Sequence, residues 1–287
     1  MSVALDAIVA FSLVVTAYFV LWNVSQIAMS PLSAVVLWRH QQRHTRRARA
    51  LTTGVYVPPF VSIVMPAYNE EHFIATLIER IEAVDLTPSG FTAELIVVDD
   101  CSRDRTAEIV AALPRVRLVR QPKNGGKGSA VRAGIAVATG EYLLIQDADL
   151  EYDPRDYPAM LAEITSGRAE IVYGSRYLAT GRHAQQSLGA YLGGRSLSLV
   201  ARLLIGQYLT DTVTALKLFP RKLLLELNLE TSGFELDHEI TAKVVARGYR
   251  IVEVPIRYYP RSRAEGKKIG LRDWFIATKT FWRWRKR

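Results

Sequence analysis

Between residues 55 and 146, short runs of bulky apolar residues alternate with stretches of helical periodicity, and each apolar run ends in a polar or acidic cluster. Strand and helix alternating in this way predict an α/β fold, a largely parallel sheet with helices on its faces. The first expected strand, VSIVM (61–65), is closed by PAYNE (66–70), and Ile74, Leu77, Ile78 and Ile81 then mark a helix over 70–84. The second strand (94–98) ends in Asp99 and Asp100, with a polar turn leading into helix 105–112. A third strand covers 116–119, NGGKGS (124–129) opens helix 129–138, and strand 142–146 delivers QDADLEYDP (146–154). Ligands of open α/β sheets bind at the carboxyl ends of the strands, where these polar clusters fall. Turn chemistry accounts for any one cluster, since Asp, Asn and Gly favour turns. Their agreement on one edge points to a site.

Asp147 and Asp149 stand two residues apart, with Glu151 two further on. In extended backbone such residues point the same way, so the three are expected to converge. Converging carboxylates repel unless a hard divalent cation lies between them. The alternative is a solvated acidic loop. In NGGKGS, glycines ahead of a helix let backbone N–H groups approach a phosphate. Gly128 follows Lys127, so there is no GK[ST] at the P-loop spacing, and the third glycine of the dinucleotide fingerprint is missing. Both a P-loop NTPase and a dinucleotide-binding dehydrogenase are therefore disfavoured, and Lys127 remains as a cation for a nucleotide.

Residues 3–29 are almost wholly apolar. A helix of about 20 residues spans a ~30 Å hydrocarbon core. No Lys or Arg precedes the run, which is also too long for a cleaved signal peptide; a buried core helix is the other alternative. RHQQRHTRRARA (39–50) carries five arginines and no acid, so the positive-inside rule predicts a single-pass protein with everything after residue 39 cytosolic. The expected organisation is an anchor over 1–38, a basic juxtamembrane linker over 39–57, a catalytic domain over 58–260, and a basic loop with an amphipathic helix over 261–287. The net charge of +9 selects anionic partners. Cys101 is the only cysteine, which rules out an internal disulfide. In the tail, Trp274, Phe275, Phe281, Trp282 and Trp284 are interspersed with Arg and Lys, as expected of a helix in the headgroup region of an anionic leaflet. Its rivals are a nucleic-acid patch, disfavoured beside an anchor, and a plain packed terminal helix.

The ordered set VSIVMPAYNE, LIVVDDCSRDRT, NGGKGSAVRAGI, QDADLEYDP and VYGSRY resembles the inverting family 2 glycosyltransferases of the GT-A fold, over about residues 58–270. Within them the chain is most similar to polyprenyl- and dolichyl-phosphate hexosyltransferases. The resemblance implies a Rossmann-like, mostly parallel sheet and a nucleotide diphosphate sugar donor, GDP-mannose or UDP-glucose. It also implies a divalent metal, Mg²⁺ or Mn²⁺, and a polyprenyl or dolichyl phosphate acceptor at the membrane. A glycan, protein or other lipid hydroxyl is the alternative acceptor, and an inactive nucleotide-sugar-binding scaffold the non-enzyme alternative. A processive polysaccharide synthase is disfavoured, as there is no Q-x-x-R-W motif.

By the same resemblance Pro66, Tyr68 and Glu70 hold base and ribose, and Asp99 and Asp100 read the base, Asp100 the more directly. Asp147, Ala148 and Lys127 face the nucleotide sugar. Asp147, Asp149 and Glu151 are the metal set, Glu151 departing from an amide-bearing third ligand. Arg176, Arg195 and Lys267 grip the acceptor phosphate, with Arg202 a weaker candidate, because guanidinium forks bind phosphate bidentately. Asp149 and Arg176 are thereby expected to be catalytic, along with Asp237 as candidate base and Asp211 behind it. A sugar hydroxyl would require such a base. A lipid monophosphate, with a second pKa near ~6, already presents an oxyanion. His238 is expected on a helix surface.

Overall fold

The computed structural model describes residues 59–178, 188–260 and 271–285. Its strands are β1 (Phe60–Ala67), β2 (Thr92–Asp99), β3 (Val116–Arg120), β4 (Tyr142–Ile145), β5 (Ile171–Ser175), β6 (Lys217–Pro220) and β7 (Ile251–Pro255). They form one seven-stranded sheet in the order β3-β2-β1-β4-β6-β5-β7. The pairs β1–β2, β2–β3, β1–β4 and β5–β7 are parallel, while β6 runs antiparallel to both β4 and β5. The expected GT-A-like arrangement, a mostly parallel sheet flanked by helices, is what the chain adopts. The antiparallel β6 was not foreseen.

The helices are α1 (Ile74–Glu82), α2 (Thr106–Ala111), α3 (Lys127–Val137), α4 (Tyr157–Thr165), α5 (Leu188–Ile205), α6 (Arg221–Glu226), α7 (Leu236–Ala246) and α8 (Leu271–Trp284). All of β1 beyond Phe60 is buried, as in a parallel strand covered on both faces. Its side chains alternate between two cores. Ile63 and Met65 pack with Leu77 and Ile78 of α1 and Met160 of α4. Val64 packs with Val131 and Ile135 of α3, Phe219 of β6 and Ile240 of α7. At Gly134 a Cβ would come within 2.3 Å of Val64 Cγ1, so the missing side chain is what lets α3 lie directly on β1. Register holds Ala67 opposite Asp99, which puts the loops after β1 and β2 level on one edge.

Helix α8 packs on the body. Ala277, Phe281 and Trp284 join Leu197 and Ala201 of α5 and Ala242 of α7 in a third core cluster, while Phe275 and Trp282 face outward. The packed-helix rival thus describes the inner face of this tail. His238, expected on a surface, is buried instead, with its ring 5.1 Å from that of Phe281. Among the described residues no helix is long and apolar enough to cross a membrane. That finding corrects the expected single-pass, cytosol-facing localisation. The 18-residue α5, the longest described helix, carries Arg195 and Arg202 along its length, and a charged side chain at mid-membrane depth costs about 3 kcal/mol. The run 3–29 and the basic flank 39–50, on which the expectation rested, lie outside the described residues.

Candidate active site

Because β6 runs antiparallel to β4, its first residue, Lys217, lies opposite Ile145, the last residue of β4. Asp147 follows two residues later, and Lys127 starts α3 across the same edge. Lys127 Nζ is 2.7 Å and 3.0 Å from the two carboxylate oxygens of Asp147 and 3.2 Å from Oδ2 of Asp237, in the first turn of α7. The other oxygen of Asp237 accepts a hydrogen bond from Lys217 Nζ. Asp147, Lys127, Asp237 and Lys217 therefore form a string of alternating charge, partly exposed at Asp147 and fully buried at Lys217.

The electrostatics follow from that string. Burial alone would raise the pKa of Asp237, but the ammonium groups of Lys127 and Lys217 outweigh it and hold the carboxyl down at about 2. For Lys127, burial works toward the neutral amine, and the paired carboxylates of Asp147 and Asp237 overcome it, so its pKa is raised. For Lys217, burial wins over the attraction of Asp237 and the pKa is lowered. His238, next in the chain, is pushed down to about 4 by burial.

The acidic loop does not behave as an extended strand. β4 ends at Ile145, so the two-residue period stops before the acids begin. Gln146 is buried and accepts a hydrogen bond from Tyr157 Oη at 3.0 Å, and Ala148 packs in the core beside Tyr152. Asp149 Oδ1 accepts from the Glu151 amide at 3.2 Å. Glu151 Oε2 accepts from Tyr258 Oη at 3.0 Å. Among the described residues no three or more His, Cys, Asp or Glu side chains gather as metal ligands. The expected convergence of Asp147, Asp149 and Glu151 is thus not found.

On the nucleotide side, the loops after β1 and β2 are laced together. Asn69, with φ 57°, accepts from the Arg103 amide at 2.8 Å, and the Glu70 amide donates to Thr106 Oγ1 at 2.8 Å. Pro66 sits within β1, and Tyr68 is partly open to solvent. Asp100 is committed to the glycine loop: its two oxygens accept the Gly125 and Gly126 amides at 2.8 Å and 2.7 Å. Gly126 has φ +87°, and a Cβ there would meet Ser232 O at 2.7 Å, so the turn into α3 requires glycine. Asp99 is buried, its Oδ1 accepting from the Ser102 amide at 3.2 Å and its Oδ2 making no hydrogen bond, with Arg120 Nε 3.6 Å away. Asp100 thus holds the glycine loop.

On the acceptor side, Arg176 is buried and spends its fork on Asp211. Nε and one terminal nitrogen donate to the two carboxylate oxygens at 2.6 Å and 2.7 Å, with the guanidinium 5.0 Å above the Tyr258 ring. Both groups singled out separately from sequence therefore serve one another. Arg195 donates to Tyr208 Oη at 2.6 Å, and Arg202 stacks on the same ring at 5.9 Å. Lys267 lies outside the described residues. Sequence reasoning missed Lys217. The signal was one lysine inside the apolar run ALKLF, a position that demands a buried partner.

The glycosyl transferase family 2 model matches residues 62–224, spanning both the glycine loop and the Asp147–Lys127 pair. The chain is 31% identical over 215 residues to a dolichol-phosphate mannosyltransferase of Pyrococcus furiosus, covering 73% of this chain and 59% of the relative. It is 30% identical over 221 residues to a low-salt glycan biosynthesis hexosyltransferase of Haloferax volcanii, covering 76% of this chain and 52% of the relative. It therefore spans little more than half the length of either. Among solved structures, glucosyl-3-phosphoglycerate synthase from Mycobacterium tuberculosis, in complex with Mn²⁺, UDP-glucose and phosphoglyceric acid, shares the fold with a TM-score of 0.55 at 23% identity, over 72% of this chain and 74% of that one. With that fold, and with its polar loops gathered on the edge the family match spans, the chain belongs to glycosyl transferase family 2, with hexosyltransferases among its relatives.

Proposed function

We propose that the enzyme transfers a hexose from a nucleotide diphosphate sugar to a polyprenyl phosphate, with inversion at the anomeric carbon. One observation carries the acceptor class: Asp237, the candidate base, is pinned between two ammonium groups with its pKa held at about 2. A carboxylate so stabilised is a weak base for a sugar hydroxyl, whose proton must be removed in the transition state. A phosphate monoester arrives already ionised and needs cations to position it. The mannosyltransferase relative, whose name specifies dolichol phosphate, supports the same class.

Asp147 and Asp149 would hold the divalent metal. Asp147 offers hard carboxylate oxygens at a partly exposed position where a cation, the Lys127 ammonium, already sits. Mn²⁺ or Mg²⁺ held there would supply positive charge against the departing diphosphate. Lys127 itself, within reach of the same edge, adds a further cation. Pro66, Tyr68, Glu70 and Asp99 frame the base and ribose, and Asp100 shapes the glycine loop beneath them. Arg195, half-buried on α5 beside Tyr208, would contact the acceptor phosphate, and Arg176 would shape the acceptor pocket through Asp211.

The test compares polyprenyl phosphate with the matching polyprenol as acceptor, using the donor that turns over. Transfer to the phosphate and none to the alcohol is expected; transfer to the alcohol at comparable rate overturns the acceptor class.

A further inference from the structure

We propose that Lys127 is a built-in counter-ion of Asp147 which a divalent metal must displace, so that the acidic motif holds one of two cations in turn. The inference rests on the reading that Asp147 and Asp149 bind the metal. Lys127 Nζ contacts both carboxylate oxygens of Asp147, a carboxylate that would also serve the metal. A divalent ion and an ammonium cannot share a carboxylate at these distances without strong like-charge repulsion in a partly buried site.

The surroundings are arranged for such an exchange. Asp237 lies 3.2 Å from the same ammonium, so Lys127 keeps a carboxylate partner after leaving Asp147. The Phe234 ring, 5.8 Å from Nζ, offers a second soft contact on that side. The remaining acids stay apart, Asp149 accepting the Glu151 amide and Glu151 the Tyr258 hydroxyl. Among the described residues no three-acid metal cluster is assembled in advance. Lys127 therefore neutralises Asp147 until metal arrives, and then stays with Asp237.

The experiment titrates the full chain with Mn²⁺ in the absence of donor, reading free Mn²⁺ by electron paramagnetic resonance, for the wild type, Lys127→Met and Asp149→Asn. Removing the competing ammonium should tighten Mn²⁺ binding by about tenfold or more. Equal or weaker binding in Lys127→Met, with Asp149→Asn still abolishing it, overturns this inference and leaves the metal reading standing. No Mn²⁺ bound by either wild type or Lys127→Met overturns both. A second measurement needs no Lys127 variant: reductive methylation of the wild type followed by peptide mass spectrometry. Mn²⁺ should raise the labelling of Lys127, and Asp149→Asn should remove that rise. Unchanged labelling with Mn²⁺ bound overturns the exchange.

Discussion

Lys217 on β6 and Asp237 on α7 are ion-paired inside the fold, the lysine fully buried and the carboxylate shared with Lys127. Removing one partner of a buried pair strands the other's charge. Lys217→Met is expected to cost about 3 kcal/mol, the low end of the range for such changes, because Lys127 still neutralises Asp237. Urea denaturation measures it. The double variant Lys217→Met/Asp237→Asn should recover part of the loss.

Arg176 and Arg195 should separate cleanly. Arg176 satisfies buried Asp211, so Arg176→Met is expected to destabilise the fold by roughly 3–5 kcal/mol. Arg195 bonds an exposed tyrosine, so Arg195→Ala should change stability by less than about 1 kcal/mol while raising KM for the lipid phosphate. Thermal melts and acceptor kinetics on the two variants together check the assignment.

Asp100→Ala removes both acceptors of the Gly125 and Gly126 amides. Hydrogen bonds to a charged acceptor contribute about 1.5–3 kcal/mol each, so a loosened glycine loop should raise KM for the nucleotide sugar by at least about tenfold. Isothermal titration with the nucleoside diphosphate alone reads the same loss without turnover.

His238 makes stability depend on pH. Its folded pKa, pushed down to about 4 by burial, lies below the ordinary 6.5, so between those values the unfolded chain binds the extra proton. The contribution is fully present above pH 6.5 and is lost as pH falls through 4. Over that window the loss approaches roughly 3 kcal/mol. His238→Phe, beside Phe281, should flatten the slope between those two pH values in urea titrations.

The first three strands, their helices and the edge on which the polar loops gather were legible because burial on both faces writes a continuous apolar run and helices write a repeating stripe. The direction of β6 was not, since an apolar run reads the same for parallel and antiparallel pairing. The acids were expected to converge because strand periodicity was carried past Ile145, where the strand ends. Arg176 and Asp211 were each read as facing substrate. Their pairing joins residues 35 apart in sequence, and no local pattern reports it. Helix α7 hid His238 in the same way, since the Phe281 that covers it comes from the far end of the chain.

The most direct test of the function is lipid-dependent donor turnover. The purified protein is incubated with Mn²⁺ or Mg²⁺, polyprenyl phosphate, and GDP-mannose, UDP-glucose, UDP-galactose or UDP-GlcNAc in parallel, with Asp149→Ala as control. One donor should release its nucleoside diphosphate in step with a hexosyl-phosphoryl-polyprenol product, and Asp149→Ala should abolish both. Donor hydrolysis that ignores the lipid phosphate, or turnover that survives Asp149→Ala, would contradict the account.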